Sequence, residues 1–221
     1  MEVAKSQLSD KEVWAARFQT AGRGQRGNVW CSEEGANLTF TIFFVPDQLR
    51  ACDQFRLCQA ISLGVCSYLA AKGIDARIKW PNDIYVADKK ICGMLIEHTV
   101  AGGMIKNSIA GIGINLNQTD FGAGAPNPTS VKMLTGTTLV PEDELPLVLE
   151  AIFNEYDNCS EATAVRYKEL LYLKETPHTF TVAATSQPLE GRITDVGEDG
   201  RLCITATDGS QHLFAFKEII Y

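Results

Sequence analysis

No apolar stretch in this chain of 221 residues approaches the ~18 needed to span a bilayer, and Met1 to Asp10 lack the apolar core of a signal peptide. The sequence therefore predicts a cytoplasmic protein with no membrane partner. Cysteines are present but not organised: Cys31, Cys52, Cys58, Cys66, Cys92, Cys159 and Cys203 make an odd seven, none in C-x-x-C spacing, with only His98, His178 and His212 to join them. A zinc site is not expected from that set, and no cysteine has the sequence context of a nucleophile. Cys58 and Cys66 fall in an apolar helical pattern, where a thiol acts as a small buried hydrophobe. Basic charge is also scarce. A formal net charge of −7 and a pI near 5.0 argue against general nucleic-acid binding, and no helix-turn-helix segment is evident. Internal repeats and low-complexity tracts are absent.

What remains is a chain with 45% hydrophobic and 21% charged residues, enough for one substantial core and a small second domain. Strand patterns run from Glu12 to Gln19 and from Ala36 to Val45, the latter ended by Pro46. Apolar residues at Phe55, Ile61, Val65, Cys66 and Leu69 predict a core-facing helix over about 49–72, stopped by Gly73. Short strands follow at Arg77–Trp80, Ile84–Val86, Ile91–His98 and Ile105–Leu116, the last two joined by a hairpin at Ala101-Gly102-Gly103. Asn117 to Ser130, with two glycines and two prolines, reads as an irregular surface loop. Helices are expected over Glu142–Cys159 and Glu161–Leu173, then short strands around Phe180, Ile193, Leu202–Ala206 and His212–Phe216. This is an α+β chain with a mixed, largely antiparallel sheet over 1–175 and a small β-barrel over 176–221.

Three clusters carry chemistry. The run from Gln19 to Trp30 packs Gly22, Gly24 and Gly27 with Arg23 and Arg26 into a loop between two strands. Glycines let backbone N–H groups approach a ligand, and the arginines offer forked donors to carboxylate or phosphate oxygens, so a small anion is the expected occupant. The second cluster is Lys79-Trp80-Pro81-Asn82-Asp83 followed by Lys89-Lys90-Ile91-Cys92-Gly93-Met94-Leu95-Ile96-Glu97. Pro81 breaks the strand and presents Asn82 and Asp83 at a turn, where a carboxylate could hold Mg²⁺ beside phosphates. Lys90 could reach an oxyanion, and Gly93 could admit a flat ligand. Any one of these residues alone fits a solvated surface turn better; that reading weakens when the glycine–arginine loop is considered with it. In the third cluster, Gly111 and Gly113 lie two apart on one strand face, with Asn115 on the same face able to bond a heterocycle edge. Glycine there marks either close approach by a ligand or a bulge and tight packing.

Taken in order, GRGQRG-x-x-W, KWPND, KK-x-x-G-x-L-x-E and G-x-G-x-N resemble the biotin protein ligases, here without an amino-terminal DNA-binding domain. The resemblance covers nearly the whole chain. It implies a class II synthetase-like catalytic domain followed by a Src-homology-3-like barrel. It also implies a two-step reaction in which biotin and MgATP give biotinyl-5′-AMP, and a lysine of a biotin carboxyl carrier protein or domain, as in acetyl-CoA carboxylase, then takes the biotin.

Carried over by position, the resemblance implies that Gln19, Gly22, Arg23 and Gln25 line the biotin side, while Gly93, Leu95, Gly111 and Gly113 pack against its ring and tail. Arg26, Asn28 and Trp30 lie toward the adenylate, Asn115 contacts adenine, and Asp83 with Asn82 handles magnesium and phosphate. Lys90, with Arg23, supplies the catalytic positive charge and touches both substrates. A homodimer is compatible with the pattern. Two departures stand out: the family commonly has basic residues where Gln25 and Asn28 stand, and its Ser-Thr-Asn motif is not found before Gln19, so the first strand–helix segment is expected to be missing. The alternatives are a lipoate or octanoyl transferase and a degenerate, non-catalytic biotin- or nucleotide-binding module.

Overall fold

The computed structural model describes residues 8–20, 22, 30, 32–122 and 127–221. Apolar residues at every second position make β2 (Leu38–Phe44) an inner strand, flanked by β1 (Glu12–Ala15) and β6 (Met104–Ile114). With β3 (Arg77–Lys79), β4 (Asp83–Val86) and β5 (Lys89–Ala101) they form a six-stranded sheet in the order β1-β2-β6-β5-β4-β3, antiparallel at each pairing. The β5–β6 hairpin turns at Gly102 and Gly103, whose φ values of +60° and +75° suit a two-residue turn.

Register assigns the faces of this sheet. Leu38, Phe40 and Ile42 pair with Ile114, Ile112 and Ala110, and Cys92 and Met94 pair with Ile114 and Ile112 from the other side. All are buried, and all look toward the helices. Phe44 at the end of β2 meets Phe153 and Tyr156 of α3 (Pro141–Asp157), with ring centroids 6.5 and 4.7 Å away. The helix α1 (Phe55–Ala71) is apolar around most of its surface because it is held between the sheet, α3 and α4 (Glu161–Glu169). Two buried carboxylates fix these helices. Glu144 accepts from Tyr68 at 2.8 Å and pairs with Lys72 at 2.6 Å, and Glu155 takes both forks of Arg166. The thiols of Cys58 and Cys66 lie within α1, and burial pushes both up to about 12, consistent with the expected core role.

Local boundaries depart from the sequence pattern in several places, among them α4, which ends at Glu169 and not at Leu173. The regular part of β1 ends at Ala15, although its pairing continues through Ala16 N–H to Thr39 and Gly35 N–H to Arg17. The α1 helix begins at Phe55, after a 3-10 turn over Ala51–Asp53. A short helix, α2 (Val131–Thr135), follows the Pro- and Gly-rich stretch, capped by Ser130, whose Oγ accepts from Met133 N–H at 3.2 Å, and closed by Gly136.

The expected small barrel takes the form of a five-stranded antiparallel sheet: β7 (His178–Val182), β8 (Gln187–Val196), β9 (Leu202–Ala206), β10 (Gln211–Phe214) and β11 (Ile219–Ile220), in the order β10-β9-β8-β7-β11. Among the described residues no β10–β11 pairing closes it. This sheet is fastened to the larger one by Trp80, whose Nε1–H donates to the Gly200 carbonyl at 2.8 Å, and by Tyr172, lying between Tyr85 and Tyr221. Among the described residues no helix is long and apolar enough to cross a membrane.

The α1–α3 contact is close enough to be tested. A Cβ on Gly64 would stand 2.5 Å from the Ile152 Cα, so the helices meet backbone to backbone. Alanine is the better helix former by about 1 kcal/mol. Even so, Gly64→Ala is expected to lose about 1–3 kcal/mol through overpacking. Urea denaturation measures this, and an unchanged or raised midpoint would contradict the packing.

Candidate active site

The face of the large sheet away from the helices carries Thr39, Thr41, Gly111, Gly113, Gly93 and Leu95, because each pairs directly with another member of the set. One cross-strand row reads Trp14, Thr41, Gly111, Leu95, and the next reads Thr39, Gly113, Gly93. The two glycines at Gly111 and Gly113 therefore do share a face. They do different things: a Cβ at Gly111 would meet only the Leu95 carbonyl, at 3.8 Å, whereas one at Gly113 would lie 2.5 Å from Trp30 Cζ2 and 2.8 Å from its Nε1.

Trp30 thus lies across the Gly93–Gly113 pair, which is narrow enough that no side chain but hydrogen fits beneath the indole. Its backbone N–H donates to the Gly22 carbonyl at 3.0 Å, pinning together the two ends of the glycine–arginine loop. Its Nε1–H is buried and, among the described residues, has no hydrogen-bond partner. Gln19 stands at the entrance to this loop, and its Oε1 lies 2.8 Å from where a Gly22 Cβ would be.

The second half of the site is built by the Lys79–Asp83 turn. Ile78 and Ile84 are sealed in the core on either side of it. The Pro81 carbonyl accepts from the Tyr167 hydroxyl at 2.7 Å and from the Cys58 thiol at 3.2 Å, while Asn82 Nδ2 donates to the Met94 carbonyl at 2.8 Å. A turn held from three directions has little freedom, and it aims the Asp83 carboxylate at Lys90 Nζ, 2.7 Å away. Lys90 is fixed through its backbone as well. Its N–H donates to the Asn127 carbonyl at 2.7 Å, and its own carbonyl accepts from Thr129 N–H at 2.9 Å. Both partners of the ion pair retain solvent contact, with exposures of 25% and 31%. Such a pair is worth about 1 kcal/mol or less, so it orients the lysine without competing strongly against a ligand.

These halves converge at Gly93. A Cβ there would stand 3.0 Å from Lys90 Cε, 3.1 Å from Lys90 Nζ and 3.0 Å from Trp30 Cζ3. An ammonium, an indole and a bare backbone thus border one spot. Lys79, directly opposite Asp83 in register, adds a second cation. Burial holds its pKa below the ordinary lysine value; Asp83 opposes that shift and Lys90 adds to it.

Most of the expected site residues that fall in the described part meet here: Lys90, Asp83, Gly93 and Gly113 in contact, with Trp30 above them and Leu95 and Gly111 in the adjoining row. Asn115 sits at the edge with its amide already engaged, Nδ2 donating to the Thr129 carbonyl at 2.9 Å, so it braces the 127–129 segment against Lys90. Arg23, Gln25, Arg26 and Asn28 lie outside the described residues. Sequence reasoning did not find Thr129, Trp14, Thr41 or a role for Lys79. Only Lys79 stood in a motif; Trp14 and Thr41 are placed by strand register, and Thr129 by its hydrogen bonds to Lys90 and Asn115. Among the described residues no group of three or more His, Cys, Asp or Glu could hold a metal ion. One carboxylate suits Mg²⁺ carried in on nucleotide phosphates, not a metal caged by protein alone.

Residues 2–115, from before β1 to just past β6, match the biotin/lipoate A/B protein ligase family. The chain belongs to that family. Over 118 residues it is 38% identical to the bifunctional ligase/repressor BirA of Bacillus spizizenii, a match covering 53% of this chain and 36% of that protein. It is 38% identical over 151 residues to the biotin–[acetyl-CoA-carboxylase] ligase of Paracoccus denitrificans, covering 65% of this chain and 62% of the other. The chain thus spans about a third of the length of the first and under two thirds of the second. A biotin protein ligase from Aquifex aeolicus, in complex with biotin and ATP, shares the fold with a TM-score of 0.79 at 24% identity, over 96% of this chain and 89% of that one. All three clusters lie inside the family match.

The indole's seat on Gly113 gives a spectroscopic prediction. Gly113→Ala should displace Trp30 and shift tryptophan emission, whereas Gly111→Ala, with open space above it, should leave the spectrum unchanged. Identical spectra for both variants would contradict the packing of Trp30 on the glycine pair.

Proposed function

We propose that this chain is an ATP-dependent biotin protein ligase, forming biotinyl-5′-AMP and passing biotin to a lysine of a biotin carboxyl carrier protein or domain. The observation that carries the proposal is the meeting of Lys90, Asp83 and Trp30 at Gly93. We assign catalysis to 1–175 and a supporting role to 176–221. The cytoplasm, where thiols such as Cys58 and Cys92 stay reduced, is the setting that fits.

In the first step a carboxylate oxygen of biotin attacks the α-phosphorus of ATP, and pyrophosphate leaves. Two anions must approach, so preorganised positive charge is the main requirement, and positioning outweighs covalent catalysis. Lys90 meets it: fixed at its backbone on one side and at its ammonium by Asp83, it stands where the acid's tail would cross the glycine pair. Arg23 and Arg26 would add charge from the loop that Gly22 and Trp30 close at its base. Asp83, with Asn82 beside it, would hold the Mg²⁺ that accompanies the nucleotide and neutralises phosphate charge. Gly111, Leu95 and Gly113 would floor the acid's ring and tail, with Gln19 and Gln25 at its rim. Asn28, Trp30 and Asn115 would face the nucleoside. In the second step the acceptor amine attacks the carbonyl carbon of the anhydride, an amide bond forms, and AMP leaves with the electron pair of the broken C–O bond.

Lys90→Ala should fold normally, since it removes a partly exposed side chain outside the core, and should slow adenylate formation by about 10²–10³-fold. Biotin-dependent pyrophosphate release from ATP measures the effect, with lipoate as the second acid tested. Unchanged release would reject the role of Lys90. Release with lipoate and not with biotin would reassign the substrate, and no release with either acid from folded wild-type protein would reject the ligase.

A further inference from the structure

No step of the reaction uses α4, yet one of its side chains reaches the site from the core. Tyr167 has no exposure, and its ring packs edge-on against Phe55 of α1, with centroids 5.3 Å apart. Phenylalanine would fill that packing as well, since the hydroxyl adds nothing to the ring contact. A buried hydroxyl is costly unless it is hydrogen-bonded. Among the described residues that of Tyr167 has one partner, the Pro81 carbonyl at 2.7 Å. Burial holds its pKa well above the ordinary tyrosine value, so it stays a donor throughout the neutral range. The carbonyl has equal need of the bond. β3 ends at Lys79 and β4 begins at Asp83, so Pro81 lies between the ladders and its oxygen has no strand partner. Its second donor is the Cys58 thiol at 3.2 Å, a weak one. Because the peptide unit is planar, fixing this oxygen fixes the plane from which Asn82 leaves, and Asn82 leads directly into Asp83.

We propose that Tyr167 is a positioning residue for adenylate formation: its hydroxyl, by holding the Pro81 carbonyl, sets the aim of Asp83 and through it the direction of the Lys90 ammonium. The inference rests on the ligase reading above. The Asp83–Lys90 pair is partly solvated and adds little energy of its own, so it cannot draw a loosened turn back into place. The geometry has to be imposed from the core. Asn82 ties the turn to β5 through the Met94 carbonyl, and Tyr167 ties it to the helix layer. With the second tie gone, the turn can pivot about the first. A displacement on the order of 1 Å at Asp83 would stretch its 2.7 Å contact with Lys90 beyond hydrogen-bond reach. Misplacement of that size in an active site costs up to about 10²-fold in rate. Lys90 keeps its main-chain bonds to Asn127 and Thr129, so the loss falls on the direction of the ammonium and not on the fold. The floor at Gly111 and Gly113 lies on β6, away from this turn, and is left as it was. Tyr167 therefore governs turnover and not the seating of the acid.

The test compares wild type with Tyr167→Phe, which keeps the ring and removes the hydroxyl alone. In steady-state pyrophosphate release at saturating ATP and biotin, kcat should fall about tenfold while the KM for biotin stays within about twofold. The melting temperature should drop by only about 2–4 °C. Amide hydrogen exchange over Asn82 to Ile84, read by mass spectrometry without substrates, should quicken, while exchange in α1 stays as in wild type. Gly64→Ala, which strains the α1–α3 contact without touching the turn, separates positioning from stability: its kcat should match wild type. Wild-type kcat in Tyr167→Phe, or an equal loss in Tyr167→Phe and Gly64→Ala, would overturn the inference and leave Tyr167 as a core residue only. Faster exchange at the turn with undiminished kcat would overturn it too, the hydroxyl then serving the fold alone. In each of these cases an active wild type leaves the ligase reading standing. A wild-type protein that releases no pyrophosphate with biotin would remove that reading, and this inference with it.

Discussion

The candidate site depends on a division of labour between the two faces of one sheet. Strand residues alternate sides, and on β2, β5 and β6 one set, Phe40, Ile42, Met94, Ile112 and Ile114, is committed wholly to the helices. Burying five such side chains stabilises the sheet by roughly 1.5–3 kcal/mol each, before the opposing entropy is counted. The other face is relieved of that task. It can therefore tolerate Gly93, Gly111 and Gly113, which would weaken a strand that had to hold itself together through its own side chains on both faces. A one-residue slip would exchange the two sets and put isoleucines where the indole now lies.

On that floor, precision comes from the backbone more than from ion pairing. The Lys90–Asp83 contact keeps a quarter to a third of its side-chain surface in solvent, and its energy is comparable to that of an ordinary surface pair. What holds Lys90 is the pair of main-chain bonds to Asn127 and Thr129, with Asn115 bracing the Thr129 carbonyl. What holds Asp83 is a turn whose Pro81 carbonyl is bonded by Tyr167 and Cys58 and whose Asn82 is tied to Met94. Helix, sheet and turn each contribute one fixed point, so the lysine is positioned by elements far apart in sequence.

That distance explains which parts of the site were legible beforehand. The strands, α1, the β5–β6 hairpin and the residues at Lys90, Asp83, Gly93 and Gly113 could be found because local pattern and short motifs encode them. Trp14, Thr41 and Thr129 could not, since their places follow from pairings with residues distant in sequence, Trp14 with Thr41, Thr41 with Gly111 and Thr129 with Lys90, and no short motif records them. The α2 helix was hidden for a different reason: five residues carry too little periodicity, although its caps at Ser130 and Gly136 are ordinary ones. Asn115 illustrates the limit of face counting. It follows Gly113 by two, but β6 ends at Ile114, and beyond that point its amide turns inward to Thr129.

The indole of Trp30 raises a last energetic point. Steric fit to Gly113 is tight, which would make Trp30 a firm occupant of the cradle if packing alone decided. Its Nε1–H, however, is buried without an acceptor among the described residues, and an unsatisfied buried donor costs about 1–3 kcal/mol. That cost offsets much of what the ring gains by dispersion against two glycines, which present backbone on one side only. Among the described residues, moving the indole breaks no hydrogen bond of its side chain and leaves the main-chain bond from Trp30 N–H to the Gly22 carbonyl. The loop base and the ring are therefore separable: the base can stay closed while the ring yields its place over Gly93 and Gly113 to another flat, apolar group that carries an acceptor for the indole N–H.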